Sequence, residues 1–422
     1  MIVMVRPLMG MYGDARDAWR GLGSLGLRLA VLASVTMFTY GLVRPPVESL
    51  FLSDYGKEQL PYVWSFVAAA AALVTWVYSW FAKRTTMAKL FRGTSLACAG
   101  ILVVCLVANR LGWKPANFAL YVWKDVYIVV LVEVFWSTAN LLHKTKQATW
   151  SYGVFLVFGS VGSIAGEQTA RVLSNLMSSN DIAALAVPVL CVVAWAGSQL
   201  AKTVQPKHPE EKPLFGDAII GGLQIVWRSR YLTLMVALVA VGQLVITLVD
   251  YQFNAVLEVA FPVEADRTGA LSNVYTAINI GALILQLLSG PALALVGVGG
   301  LLIAVPVLGV LSVGWLAMAP RFLSAAVAKV LLKSADYSFG RTVKEMLYIP
   351  LSYAEQTRGK AVADILTYRA TKGLSSLLLG ALLFLGQSIV WLCMALFCVW
   401  IALAVALSRR YRTADGECEA GP

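Results

Sequence analysis

The chain has 422 residues, of which 59% are apolar and only 14% charged, and its mean hydropathy is +0.73. An ordinary soluble domain carries about 45–50% apolar and about 25% charged residues, so this composition cannot cover the surface of a soluble globule. It excludes a soluble enzyme, a nucleic-acid-binding domain and a secreted disulfide scaffold, and no nucleic-acid partner is expected.

Apolar runs of about 20 residues recur along the chain, the length a helix needs to cross a hydrocarbon core about 30 Å thick. They parse into about twelve spans, near 29–52, 61–82, 93–109, 117–142, 149–175, 182–201, 231–257, 270–290, 297–318, 321–340, 360–386 and 388–408. The expected fold is an all-α polytopic membrane protein. Between spans six and seven lies a long polar stretch, KTVQPKHPEEKPLFG from Lys202 to Gly216, whose prolines and charges suit a linker. The expected organisation is an N-terminal six-helix half (1–201), a linker (202–230) and a C-terminal six-helix half with a basic tail (231–422). The first apolar run is long enough to remain as a span and shows no small-residue cleavage pattern.

The 34 Lys and Arg outnumber the 23 Asp and Glu for a formal net charge of +11; in a membrane chain this excess first reports topology. Basic residues gather in the N-terminal segment, the even-numbered loops, the linker (Lys202, Lys207, Lys212) and the tail (Arg409, Arg410, Arg412), while the odd loops hold few. Both termini and the linker are therefore expected on the cytoplasmic side of a bacterial-type inner membrane. Cys98, Cys105, Cys191, Cys393 and Cys398 lie in apolar runs and Cys418 in the tail, without a CxxC pair, and His143 and His208 fall in expected loops. No metal site or cofactor is implied.

A charge at membrane depth costs at least about 2.5–3.5 kcal/mol on insertion scales and is a functional candidate by default. The candidates in chain order are Arg44 and Glu48; Lys124, Asp125 and Glu133; Glu167 and Arg171; Asp250; Lys329, Lys333 and Asp336; and Asp364, Arg369 and Lys372. Arg44 and Glu48, four apart, either pair with each other or meet a substrate. Lys124 and Asp125 are neighbours expected to point in different directions, and Lys329, Lys333 and Arg171 are long enough to snorkel to an interface. Glu133 in LVEVFW and Asp250 in TLVDYQF have no basic partner four residues on, so a second helix, a proton or a ligand must neutralise them. Lys372 stands three residues after Arg369 at the start of a long apolar run. The stretch from Gly159 through Gly162 to Gly166 lacks the GK[ST] of a phosphate loop and reads as a close helix contact. Trp136, Trp150, Tyr152, Tyr251, Tyr337 and Tyr348 could stack a ring-bearing substrate or belong to interfacial belts.

A faint repeat joins TKQA at Thr145 to TRGKA at Thr357, an offset of 357 − 145 = 212 residues, close to half the chain. Together with Arg44 and Leu50-Phe51-Leu52, the segment Glu133-Val-Phe-Trp-Ser-Thr-Ala-Asn140, the Gly159–Gly166 run, Leu248-Val-Asp250-Tyr-Gln252-Phe253, and Asp336-Tyr337-Ser338 through Lys344-Glu345 and Tyr348 to Gly359-Lys360 and Asp364, it resembles the nucleotide transporter family: the ATP/ADP translocases of plastids and intracellular bacteria and their shorter bacterial relatives. That resemblance implies a major-facilitator-like fold with substrate between the halves, and exchange or import of phosphorylated nucleotides. Family charges match Glu133, Asp250 and Lys372; the helix-one lysine is replaced by Val47, with Arg44 one turn earlier.

The expected function is secondary active transport of a small anionic solute, a nucleotide by preference, through alternating access, with no enzymatic activity. Expected substrate contacts are Arg44, Glu133, Asn140, Asp250, Arg369 and Lys372. Coupling or gating falls to Glu133, Asp250 and Asp336, the acids either pairing with those bases or carrying a proton. The alternatives are a same-fold transporter of a lipid derivative, sugar phosphate or drug, and a membrane receptor or assembly partner that transports nothing. The lipid bilayer is the one certain partner, and the sequence is silent on oligomeric state.

Overall fold

The computed structural model describes residues 23–82, 84–142, 145–203, 224–351, 355, 367–384 and 389–419. The arginines up to Arg20, both histidines, Lys144, the linker centre, the second link of the repeat, Asp364 and the Arg369 side chain lie outside the described residues.

All regular structure among the described residues is helical. We label α1 Gly23–Tyr55, α2 Leu60–Ala82, α3 Met87–Arg110, α4 Pro115–Leu142, α5 Thr145–Leu173, α6 Ser179–Ala184, α7 Ala186–Lys202, α8 Arg230–Ala260, α9 Glu264–Met318, α10 Phe322–Ala335, α11 Arg341–Tyr348, α12 Thr367–Phe384 and α13 Ile389–Glu419. A π-helical segment, Asp336–Gly340, joins α10 to α11.

By length and composition alone, seven stretches can cross a membrane: α1, Lys57–Ala82, α3, Ser179–Lys202, α8, α9 and the first part of α13. At about 1.5 Å per residue, the 55 residues of α9 are long enough for two passes. The helix in fact breaks at Gly297, whose φ of 67° is a left-handed conformation that a side chain disfavours. Counting both arms of α9, and α4, α5, α10–α11 and α12, which follow the expected spans but carry internal charges or are short, the described residues trace the twelve expected passes. Large apolar side chains such as Val104, Leu111, Leu295, Phe384 and Trp391 are exposed, as a lipid-facing surface requires.

The chain divides into two compact units, one from the described residues within Met1–Leu50 and Ala71–His208, the other from those within Phe51–Ala70 and Pro209–Pro422. In the first unit, α1 and α5 approach at backbone distance. A Cβ on Gly162 would stand 2.0 Å from the Ser34 carbonyl oxygen, one on Gly166 2.3 Å from that of Phe38, and one on Gly41 2.2 Å from that of Ser163. The glycine run is thus a small-residue helix contact, the device by which membrane helices gain van der Waals packing without a hydrophobic drive. In the second unit the α1–α2 turn is tied to α8 and α9: the Lys57 amide donates to Glu258 Oε2 at 3.1 Å and the Arg267 guanidinium to Ser53 Oγ at 3.1 Å.

Candidate functional site

Each unit holds an ion cluster at membrane depth. In the first, Arg44 and Glu48 lie one turn apart on α1, on either side of Pro45 and Pro46. Two prolines remove two helical N–H donors here, so the α1 backbone is locally polar beside the charges. Arg44 Nε meets Glu48 Oε1 at 3.3 Å, the intrahelical pair that the spacing allows. From α4, Lys124 Nζ reaches Glu48 Oε1 at 3.1 Å and Asp125 Oδ1 at 2.9 Å. Lys124 is 1% exposed and lies 3.9 Å from the centre of the Tyr121 ring. An ammonium this deep would cost several kcal/mol without carboxylates to compensate it. Two bases and two acids make the cluster formally neutral.

Lys124 and Asp125 therefore do not point apart as expected. Adjacent helical side chains diverge by about 100°, but the long lysine stem curls back along the helix to its neighbour. Val47, where the resembled family has a lysine, is fully buried.

In the second unit, Asp250 on α8 faces α10. Its Oδ2 lies 2.7 Å from Lys333 Nζ and its Oδ1 3.5 Å from Lys329 Nζ. Lys329, 2% exposed, sits 4.0 Å from the Phe253 ring centre and donates to the Tyr275 hydroxyl at 3.5 Å. These lysines do not snorkel to an interface; they are held inside by one carboxylate and by aromatic faces. Asp336, in the π-helical segment one turn on, lies in the field of Lys333, Lys344, Arg341 and Asp250. A π-bulge re-aims side chains within a helix and is frequent at functional sites. Asp336 also borders a cavity of ≈ 280 Å³ whose polar edge comes from Gln243, Tyr337, Arg341 and Lys344 and whose apolar wall includes Leu301 and Trp400. Lys329 and Lys333 converge on Asp250, while Lys333, Lys344 and the exposed Arg341 act on Asp336.

The other expected contacts are placed as follows. Glu133 is exposed on α4 and lies in the field of Tyr78 on α2. Three and seven residues on, at helical spacing, Trp136 and Asn140 share its face. Asn140 accepts from the Tyr152 hydroxyl, and the Tyr152 ring lies 5.1 Å from that of Trp136, edge to face. Lys372 is partly buried on α12, and its carbonyl accepts from Ser376 Oγ at 2.8 Å. Glu167, fully buried, accepts from Ser163 Oγ at 3.1 Å, whereas Arg171 is exposed and bonds Gln168 on its own helix. Sequence reasoning missed the partners of the acids. The four-residue spacing of Lys329 and Lys333, which aims both at one neighbouring acid, was the available signal; Tyr275 and Phe253 carried none.

Comparison with known proteins gives this geometry a context. The TLC ATP/ADP transporter family matches residues 307–411, which include Lys329, Lys333, Asp336 and Lys372. The chain is 22% identical to ADP,ATP carrier protein 5 of Rickettsia felis over 83% of its own length and 85% of that protein. It is 20% identical to ADP,ATP carrier protein 3 of Rickettsia prowazekii over 92% and 94%. Among solved structures it is similar to the nucleoside transporter NupG (TM-score 0.62, 13% identity, covering 93% of this chain and all of that one). It is also similar to the POT family transporter PepTSo (TM-score 0.60, 13% identity, covering 93% and 98%). These structural likenesses establish the major-facilitator-like fold. The chain is an integral membrane protein whose sequence is similar to the ATP/ADP transporter family.

Proposed function

We propose that the protein is a secondary transporter that carries a phosphorylated anion, a nucleotide by preference, by alternating access and chiefly by exchange. The observation that carries this reading is the convergence of two inward-held lysines, Lys329 and Lys333, on the carboxylate of Asp250. Lysine ammonium groups form charge-assisted hydrogen bonds with phosphate as they do with carboxylate. A substrate oxygen that displaces the Asp250 carboxylate from Lys333 or Lys329 takes over its contacts, and the freed carboxylate turns to another cation or takes up a proton. Such a swap makes reorientation dependent on a bound anion, the requirement for exchange.

In the other unit the face of Glu133, Trp136 and Asn140 with Tyr152 offers a ring-stacking surface flanked by hydrogen-bonding groups, which suits a base. Arg44 belongs to a formally neutral cluster and acts by exchanging Glu48 for substrate; Arg369 and Lys372 add positive charge on α12. We place the six-helix halves on either side of the linker at 202–230, with both termini and the linker in the cytoplasm of a bacterial inner membrane, from the loop charges. The names ADP,ATP carrier borne by the relatives support the nucleotide assignment.

Buried Val47, in place of the family lysine, favours one second reading, a carrier of the same fold for a less highly charged phosphate ester. Thermal unfolding of the purified protein with ATP, ADP, AMP and glycerol 3-phosphate separates the two. A ligand at 100 times its Kd stabilises by about 2.7 kcal/mol; stabilisation by ADP or ATP but not by glycerol 3-phosphate supports the nucleotide reading, and the reverse overturns it.

A further inference from the structure

Away from both ion clusters, at the end of the first unit where α3 begins and α7 ends, lies a groove of ≈ 250 Å³ between the two helices. The two helices approach closely beside it: a Cβ on Gly197 would stand 2.1 Å from the Phe91 ring, so α7 packs flush on α3 only because position 197 has no side chain. Lys89 and Arg92 stand on the α3 wall and Lys202 on the α7 wall. All three are exposed; the Lys202 ammonium donates to the neutral Gln199 amide at 3.3 Å. Among the described residues no carboxylate lines the groove. Deeper along the same helices its lining turns apolar, with Leu96 on α3 and Trp195 and Cys191 on α7, and these side chains are exposed as well.

The two ends thus differ in chemistry along the helix axis. Lys202 and Trp195 are seven residues apart, two turns and about 10 Å, which is the distance from a phospholipid phosphate to its upper acyl chain rather than the size of a free anion. Basic pockets between transmembrane helices are suited to anionic headgroups, and a tryptophan at this depth sits where the membrane interface favours it. A solvated basic face would not need the apolar continuation, and a purely lipid-facing seam would not need three cations without an acid.

We propose that this groove binds one anionic phospholipid, its phosphate held by Lys89, Arg92 and Lys202 and an acyl chain laid along Leu96, Trp195 and Cys191. Occupancy would tie the ends of α3 and α7 to the leaflet and make the protein respond to the anionic lipid content of its membrane, whatever solute it carries.

The test uses the intact protein in phosphatidylcholine vesicles containing a minor fraction of dibrominated phosphatidylglycerol or, separately, dibrominated phosphatidylcholine. Quenching at the groove is the difference between wild type and Trp195→Phe. The expected result is preferential quenching by the anionic lipid, with relative affinity falling about fivefold for each of Lys89→Gln, Arg92→Gln and Lys202→Gln and no preference left in the triple variant. Lys89→Arg with Lys202→Arg keeps the charge and should keep the preference, which separates lost binding from lost folding. Equal quenching by both lipids, or a preference surviving in a folded triple variant, overturns the proposal. So does complete relief of the preference by inorganic phosphate, which would mark a soluble-anion site.

Discussion

Replacing Asp250 by asparagine removes the one carboxylate that the structure places directly between Lys329 and Lys333, at 3.5 and 2.7 Å. Removing one partner of a buried ion pair costs about 3–5 kcal/mol, because the survivor stays buried without its countercharge. Three features reduce that cost here. Lys329 keeps its contacts with Phe253 at 4.0 Å and Tyr275 at 5.1 Å, worth up to about 2 kcal/mol for a desolvated cation over a ring. Asp250 and Lys333 are partly open, with side-chain exposures of 19% and 14%, and Asp336 lies in the field of Lys333. The net expectation is a loss of about 2–3 kcal/mol, below the full cost of an uncompensated buried charge. Adding Lys333→Met to Asp250→Asn removes the orphaned ammonium, so the double variant should be more stable than the sum of the single losses predicts, with a coupling of about 0.5–3 kcal/mol. Unfolding by SDS in mixed micelles, followed by circular dichroism, measures all four corners of the cycle. An Asp250→Asn variant within about 0.5 kcal/mol of wild type, the range of an ordinary surface change, or strictly additive losses would refute the reasoning.

Lys124→Met should cost about 3–5 kcal/mol, since it leaves Glu48 and Asp125 with Arg44 as the remaining base of the cluster; the same unfolding assay reads it, and Glu48→Gln added to it should recover part of the loss. Gly162→Leu should prevent α1 and α5 from docking and collapse the folded yield in size-exclusion chromatography. Gly153→Ala, where a Cβ meets nothing within 4 Å, should be neutral or stabilising by about 0.5–1 kcal/mol. Glu133→Gln and Asn140→Ala alter exposed side chains, so unfolding should move by no more than about 0.5 kcal/mol while transport falls at least tenfold; preserved transport would remove both residues from the substrate path.

Much of the architecture was legible in the primary structure because membrane insertion imposes a length rule. The breaks between apolar runs anticipate most helix ends, although the last helix runs on to Glu419, past the expected 408, and α11 to Tyr348, past the expected 340. The turn between spans eight and nine is resolved at Gly297, where only the backbone angle of one glycine interrupts a 55-residue helix. The spacing of Gly162 and Gly166 likewise anticipated a helix contact, since small residues four apart form a flat stripe. The ion pairs were less legible. Periodicity tells which residues share a face but not which helix that face meets, so Lys329 and Lys333 read equally well as snorkelling side chains and as partners of Asp250. Lys124 meets Asp125 against expectation because the direction of its Cα–Cβ bond does not fix the end of a four-carbon stem. Glu133 read as a deeply placed charge in need of a partner, yet it is exposed. A charge inside an apolar sequence is not thereby enclosed.

The most direct test of the central claim is counterflow: proteoliposomes loaded with unlabelled ADP, diluted into trace labelled ATP, with Lys333→Gln and Asp250→Asn measured beside wild type. The account predicts rapid labelled uptake that requires internal nucleotide, falls at least tenfold when Lys333 loses its charge, and is inhibited by other nucleoside diphosphates. Uptake that ignores internal nucleotide, or that persists unchanged in a folded Lys333→Gln variant, would contradict it, because the lysines that converge on Asp250 would then not be what holds the substrate.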